Sequence, residues 1–277
     1  MIEIPEAKVI ANQLNSELSG KIIRYGVAAT FPNKFAWYSG KSSEYTRRLF
    51  ERKIISTYRH ASRIFIELDD GLALIFGEGT GINFLEAGIT KPRKHQLLLE
   101  FDDESALSVI IRMYGFILCE DKDTVTNKYI VGAMTKPSPL TDGFTSEYFI
   151  TLFKEHADSS LSTKAFLATE QRIPGIGNGV LHDILFNAMI HPKLKLRDYK
   201  DEEADNLYNS IIFTLGEMAD KGGRDSQKDI YGQKGGYKCI MGRNTVGKEC
   251  PRCGAIIEKQ SYMGGSIYFC PDCQRRE

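Results

Sequence analysis

The sequence predicts an α+β fold: a leading helix, an N-terminal antiparallel β-sandwich, a helical C-terminal segment and a cysteine-bearing hairpin. Three observations predict it. Between residues 20 and 130 apolar runs are joined by acidic and Gly-containing turns, the pattern of half-buried hairpins. From residue 145 the apolar period lengthens to that of helices. Near the end, Cys250, Cys253, Cys270 and Cys273 form two Cys-x2-Cys knuckles sixteen residues apart.

The elements follow in order. Residues 1–18 read as a helix, with Pro5 in the first turn, Val9, Ile10, Leu14 and Leu18 at helical spacing, and Gly20 as the stop. KIIRYGVAATF reads as a strand. RIFIELDDGLALIFG reads as two strands joined at Asp69-Asp70-Gly71, and HQLLLEFDDESALSVIIRMYGFILCE repeats the device. The expected domain spans 1–130 and contains two packed sheets. Residues 131–144 are turn-rich and read as a linker. SEYFITLFKEH, STKAFLATEQ, VLHDILFNAMI and DEEADNLYNSIIFTLGEMADK read as helices of a domain at 145–222. Residues 223–277 hold a Gly-rich connector and the cysteine module, with a β-hairpin turning at Gly264-Gly265 between the knuckles.

Composition bounds the function. The 277 residues are 42% hydrophobic, enough for a substantial core and for two domains or a domain plus a module. No apolar run approaches the length of a membrane span, and the N-terminus lacks the basic and apolar regions of a secretory leader. An intracellular, cytoplasmic location is expected, and no membrane partner. Cys119 lies in an apolar strand and reads as a buried thiol. A disulfide to Cys239 is disfavoured in a reducing compartment. The net charge is zero, but residues 221–277 carry 11 Lys and Arg against 6 Asp and Glu. That polarity suits a local phosphate contact, and an unevenly solvated surface gives the same count.

Three motifs carry chemistry. Each Cys-x2-Cys turn brings two thiolates to one point, and two such knuckles complete a tetrahedral S4 site, for which Zn2+ is the default ion. Four protein ligands leave no open position, so one structural ion is expected. IPGIGNGVLHDILF places a Gly-rich turn before a helix. Gly175 and Gly177 allow close backbone approach, and Asn178 either caps the helix or donates to a phosphate. An ordinary tight helix connection is the alternative. Glu3 and Glu6 open the first helix, where its dipole alone would favour them.

Taken together, MIEIPE, the hairpin YRHASRIFIELDDGLALIFGEGTG, RMYG, KAFLATEQRIPGIGNGVLHDILFNAMIHP and the cysteine hairpin ending CPDCQ extend over nearly the whole chain. On them the chain resembles the formamidopyrimidine-DNA glycosylase/endonuclease VIII family. That resemblance implies a β-sandwich carrying the catalytic N-terminus, a helix-two-turns-helix domain gripping phosphates and a zinc hairpin. It implies a monomer acting on damaged duplex DNA, with the damaged base extruded into a pocket. The catalytic candidates are Glu3 and Glu6. The DNA-binding candidates are Lys164, Gly175, Gly177 and Asn178, with Arg112 as a phosphate or void-filling contact and Tyr114 as a stacking wedge. A solvated Lys164 is the alternative reading of that residue.

The chain departs from the family at four places. Ile2 stands where the family's nucleophilic Pro follows Met. Ser62 stands where the family has a catalytic Lys, with Arg63 next to it expected to face the opposite side. Gly265 stands at the phosphate-gripping Arg of the zinc hairpin, and Gly79 at the wedge residue. Two readings follow: a glycosylase hydrolysing the N-glycosidic bond with weak or absent AP-lyase activity, or a catalytically inactive paralogue that binds damaged DNA.

Overall fold

The computed structural model describes residues 1–200 and 202–274. The chain divides into two compact units, Met1–Met134 with Gly222–Gly236, and Thr135–Lys221 with Tyr237–Glu277. Residues 223–236, grouped above with the cysteine module, therefore pack in the first unit.

In the first unit, helix α1 (Ile4–Leu18) precedes strands β1 (Ile23–Ala28) and β2 (Ala36–Tyr38) and the short helix α2 (Tyr45–Leu49). Strands β3 (Ile54–His60), β4 (Arg63–Leu68), β5 (Leu72–Phe76), β6 (Thr80–Leu85), β7 (Leu97–Phe101), β8 (Ala106–Ile111) and β9 (Gly115–Asp121) follow. They form a four-stranded sheet ordered β1-β7-β8-β6 and a five-stranded sheet ordered β2-β9-β5-β4-β3. Ile82, Leu97, Leu99 and Val109 from the first sheet share one core with Ile64, Ile66, Leu74 and Phe76 from the second, closed by Ile10, Leu14 and Leu18 of α1. The pairing is antiparallel except between β2 and β9, which run parallel. The expected Asp-Asp-Gly hairpin joins β4 to β5, with Gly71 at φ 84°.

One expectation gives way here. The stretch read as a linker begins with helix α3 (Lys128–Thr135). Asn127 starts it, its Oδ1 accepting the Tyr129 N–H at 3.0 Å. Ile130 packs on the outer face of the five-stranded sheet, against Phe65, Ala73, Ile75 and Leu118. Only that docking makes so short an apolar stretch a stable helix.

The second unit contains α4 (Ser146–Lys154), α5 (Thr163–Ala168), α6 (Asn178–Asn187) and α7 (Glu203–Asp220), then β10 (Glu258–Tyr262) and β11 (Gly265–Phe269). Phe149, Phe153 and Phe166 interlock across α4 and α5. The β10–β11 turn falls one residue earlier than expected. Tyr262 pairs with Gly265, leaving Met263 and Gly264 as the two loop residues, at φ 52° and 70°. A tight hairpin whose twist matches its strands needs positive φ at both loop positions, and this pair supplies it. No helix among the described residues is long and apolar enough to cross a membrane.

Candidate functional site

The N-terminal site is built on the start of α1. Glu3 is the N-cap, and it forms a reciprocal capping box with Glu6, whose Oε2 accepts the Glu3 N–H at 3.1 Å. Both carboxylates are only 3% exposed. Arg224, distant in sequence, closes the box. It donates to Glu6 from its backbone N–H (3.1 Å), Nε (2.9 Å) and Nη2 (2.7 Å). Its Nη1 lies 3.6 Å from Glu3 Oε1, and Nη2 also donates to the Met1 carbonyl at 3.2 Å. Burial pushes the Glu6 carboxyl up, but the charge and hydrogen bonds of Arg224 outweigh it and hold the group below the usual carboxylate range. Both Glu6 oxygens are thereby committed to shaping the chain.

Arg224 escapes sequence reasoning. It sits in a stretch that reads as flexible connector, and its motif offers no periodicity. Gln13 and Gln227 fasten the same segment. Gln13 Nε2 donates to Asp229 at 2.9 Å, and the Met1 ammonium donates to Gln227 Oε1 at 2.8 Å. Burial first, then the neighbouring Arg224, lower the Met1 amine below its ordinary value of 8.0.

At the departures, Ile2 is buried and its N–H donates to the Glu78 carbonyl at 2.9 Å. Ser62 is buried and donates to Glu78 Oε1 at 3.1 Å. Arg63 does not face away as strand alternation suggests. Ser62 lies in the turn before β4, where alternation has not begun, and Arg63 Nη1 donates to the Ser62 hydroxyl at 2.7 Å and pairs with Glu78. Gly79 is imposed by packing. A Cβ there would lie 2.2 Å from the Tyr114 carbonyl oxygen, so the loop after β8 could not approach. That loop leaves Arg112, Met113 and Tyr114 exposed, with the Arg112 guanidinium lying over Gly81.

In the second unit the structure brings Lys164, Asn178 and the cysteine hairpin together. Lys164 is 6% exposed, against the solvated alternative. Its Nζ donates to the Tyr262 carbonyl at 3.2 Å, and Asn178 Nδ2 donates to the Ser266 carbonyl at 3.0 Å. These two carbonyls flank Gly265, whose absent Cβ would lie 3.7 Å from Lys164 Nζ and 3.9 Å from Asn178 Nδ2. Burial lowers the Lys164 pKa, and a cation in a helix's first turn also opposes the dipole. A carbonyl acceptor only partly offsets that placement, which marks Lys164 as a candidate anion contact. Asn178 Oδ1 and His182 Nε2, one turn apart on α6, are buried and have no hydrogen-bond partner among the described residues. Burial, then Lys164, push the His182 pKa down to about 3, so its ring is neutral. Gly175 has φ 89°, which favours glycine, whereas Gly177 is the extended N-cap of α6 at φ −116°.

The four Sγ atoms of Cys250, Cys253, Cys270 and Cys273 lie within 4.8 Å of one another. Cys250 and Cys273 are 3.8 Å apart and Cys253 and Cys270 3.4 Å. Metal–sulfur bonds of about 2.3 Å in a tetrahedron space the sulfurs about 3.8 Å apart, so the set fits one ion. Two polar clamps position it. Buried Asp183 of α6 accepts the Ile240 and Met241 N–H groups at 2.9 and 2.7 Å. Gln274 accepts the Cys270 N–H at 2.8 Å and donates to the Ile190 carbonyl at 2.9 Å. Cys119 and Cys239 are not joined in a disulfide.

Residues 1–136 match the family model of the formamidopyrimidine-DNA glycosylase N-terminal domain. Full-length similarity accompanies the match: the chain is 26% identical to formamidopyrimidine-DNA glycosylase of Streptococcus pneumoniae, covering 100% of both. Over its whole length the chain is similar to members of the formamidopyrimidine-DNA glycosylase family. It is also 29% identical to the enzyme of that name from Carboxydothermus hydrogenoformans, covering 99% of this chain and 100% of that one. The fold matches that of Lactococcus lactis Fpg in complex with DNA containing an abasic site, with TM-score 0.84 and 22% identity over 99% of both chains. It matches MutM (Fpg) of Thermus thermophilus with TM-score 0.81 and 23% identity over 98% of both.

Proposed function

We propose that this chain removes a damaged base from DNA by hydrolysing its N-glycosidic bond, with Glu3 as the general base. The observation that carries the reading is the fixed Glu3 carboxylate, buried at the head of α1 and set by the Glu6–Arg224 box. In this reading Glu3 takes a proton from water as the oxygen bonds to C1′ of the deoxyribose. The C1′–N bond breaks, and the base departs with its electron pair and picks up a proton. Glu6 is a positioning residue, because both its oxygens are held by Arg224 and the Glu3 amide.

The residues that make a covalent intermediate in the family are replaced. The Ile2 N–H is bonded to a carbonyl, and Ser62 offers a hydroxyl already donated to Glu78. AP-lyase activity is accordingly weak or absent, and the lowered Met1 amine is the source of any residual covalent trapping. Lys164 and Asn178 contact the DNA backbone at the turn around Gly175 and Gly177. Arg112 and Tyr114 meet the duplex from the sandwich. The cysteines hold one structural Zn2+, which keeps the hairpin carbonyls against Lys164 and Asn178 and takes no part in bond cleavage.

The test is incubation with duplexes carrying oxidised purines, oxidised pyrimidines or an abasic site, followed separately by borohydride and by alkali. Alkali-dependent breaks with little or no trapped adduct, lost in Glu3→Gln, are expected. Strong trapping would replace hydrolysis with amine attack. The bonding of Ser62 to Glu78 favours a second reading, a silent damage-binding paralogue. Tight, salt-sensitive binding with no base release on any substrate would establish that one instead.

A further inference from the structure

The first unit carries an exposed aromatic edge that the chemistry at Glu3 does not use. Trp37, the only tryptophan, is 67% exposed, and Tyr114 is 71% exposed. Phe31 is exposed as well, and Phe35 meets Tyr114 edge-on with ring centroids 4.7 Å apart. Two lysines lie over these rings, Lys94 Nζ at 4.9 Å from the Phe31 centroid and Lys34 Nζ at 5.0 Å from that of Phe35. Between them runs an open groove of about 420 Å³.

The edge is rigid. Asn33 Nδ2 donates to the Ile111 carbonyl at 2.7 Å while its Oδ1 accepts the Phe35 N–H at 2.9 Å. Buried Gln96 donates to the Phe31 carbonyl at 3.3 Å and accepts the Ile111 N–H at 2.7 Å. These bonds fix the backbone from which the Phe31 and Phe35 rings project. Nor is their charge neutralised: Lys91 pairs with Glu100 at 2.7 Å, but among the described residues Lys34 and Lys94 make no ion pair.

We propose that this edge is a stacking shelf for unpaired bases of single-stranded DNA, with Lys34 and Lys94 on the flanking phosphates. Every base presents a π-face to which an exposed ring adds, and interleaved cations follow the backbone. A paired base hides its face in the stack, so the shelf selects unpaired segments. The shelf rests on the DNA-binding half of the function proposed above and on none of its chemistry.

Trp37 reports directly on its own neighbourhood. The full chain is titrated with a twelve-nucleotide thymidine strand, with and without a fluorescent label, and with the blunt duplex of the same length. Binding read by anisotropy and quenching of Trp37 emission are expected to share one midpoint, with the single strand binding more tightly than the duplex. Phe31→Ala is expected to weaken strand binding by about five-fold or more, the range of one stacking partner removed. Lys34→Ala with Lys94→Ala is expected to reduce the salt slope by about 0.7 for each phosphate no longer neutralised. All three side chains are surface groups, so unchanged melting of the variants certifies the fold. The shelf is overturned if the strand does not bind, if it binds without altering Trp37 emission, or if the double variant keeps full affinity and slope. Base release measured in parallel separates the two ideas: a chain that releases bases but leaves Trp37 untouched loses only the shelf, and Glu3→Gln is expected to lose release while quenching persists.

Discussion

Removing Arg224 should unsettle the head of α1 to a degree that depends on pH. Arg224 and Glu6 are both buried, and three donors of one residue hold one carboxylate. In Arg224→Met the backbone donor remains, but the guanidinium charge goes, together with its two hydrogen bonds to Glu6 and its hydrogen bond to the Met1 carbonyl. Breaking one side of a buried pair costs about 3–5 kcal/mol, because the partner stays desolvated and uncompensated. For a unit of about 150 residues that corresponds to roughly 6–20 °C in Tm. Melting followed by Trp37 emission reads the first unit specifically. In the wild type the Glu6 pKa is lowered, so its contribution is present above the ordinary carboxylate value of 4.5 and is lost as pH falls through the folded value. In Arg224→Met burial dominates at Glu6 and raises its pKa, so protonation relieves the penalty. The gap between variant and wild type should therefore narrow from pH 7.5 towards pH 5. Glu6→Gln combined with Arg224→Met should recover part of the loss, since no buried carboxylate remains at that position. A single variant within about 1 kcal/mol of wild type, or a gap that widens in acid, would refute the reasoning.

Other perturbations have equally definite outcomes. Gly79→Ala should displace the loop bearing Tyr114 and cost about 1–3 kcal/mol or more, seen as a lower Tm and altered Trp37 emission, because the added Cβ would collide with backbone. Lys164→Met should weaken duplex binding at low salt and reduce the salt slope by about 0.9, the share of one phosphate contact. His182 is a base whose folded pKa is depressed to about 3, so the stability it contributes is complete above its ordinary 6.5 and declines as pH falls towards 3. His182→Leu should flatten that acid decline in the Tm of the second unit. Chelation, or Cys250→Ser, should lower the melting transition of the second unit and leave Trp37-monitored melting unchanged. Any adduct trapped by borohydride should increase with pH and level off below the range of an ordinary N-terminal amine, because the Met1 pKa is lowered.

Local signals in this chain are legible where they are self-contained. The acidic turn at 69–71 joins two strands, Pro5 and Glu3 open a helix, and the four cysteines converge, since each depends mainly on residues within a few positions. Helix α3 reads as linker because its eight residues are held by an apolar face that exists only on the assembled sheet. Pleat alternation puts Arg63 on the wrong side because Ser62, its neighbour, belongs to a turn and not to the strand. Arg224 carries no local signature at all; its partner lies 218 residues away.

By itself the sequence determined most types of element, the pairing of the four cysteines, the family the chain resembles and the positions, Ile2, Ser62, Gly79 and Gly265, at which it departs from that resemblance. Only tertiary structure decided what those replacements do. It commits Glu6 to Arg224 and Ser62 to Glu78, and it sets Lys164 and Asn178 on the carbonyls beside Gly265. The reason is physical: propensity and periodicity act over a turn or two of chain. The charge state and the available donors of a buried group depend on whatever residue the fold brings within hydrogen-bonding reach, however distant in sequence.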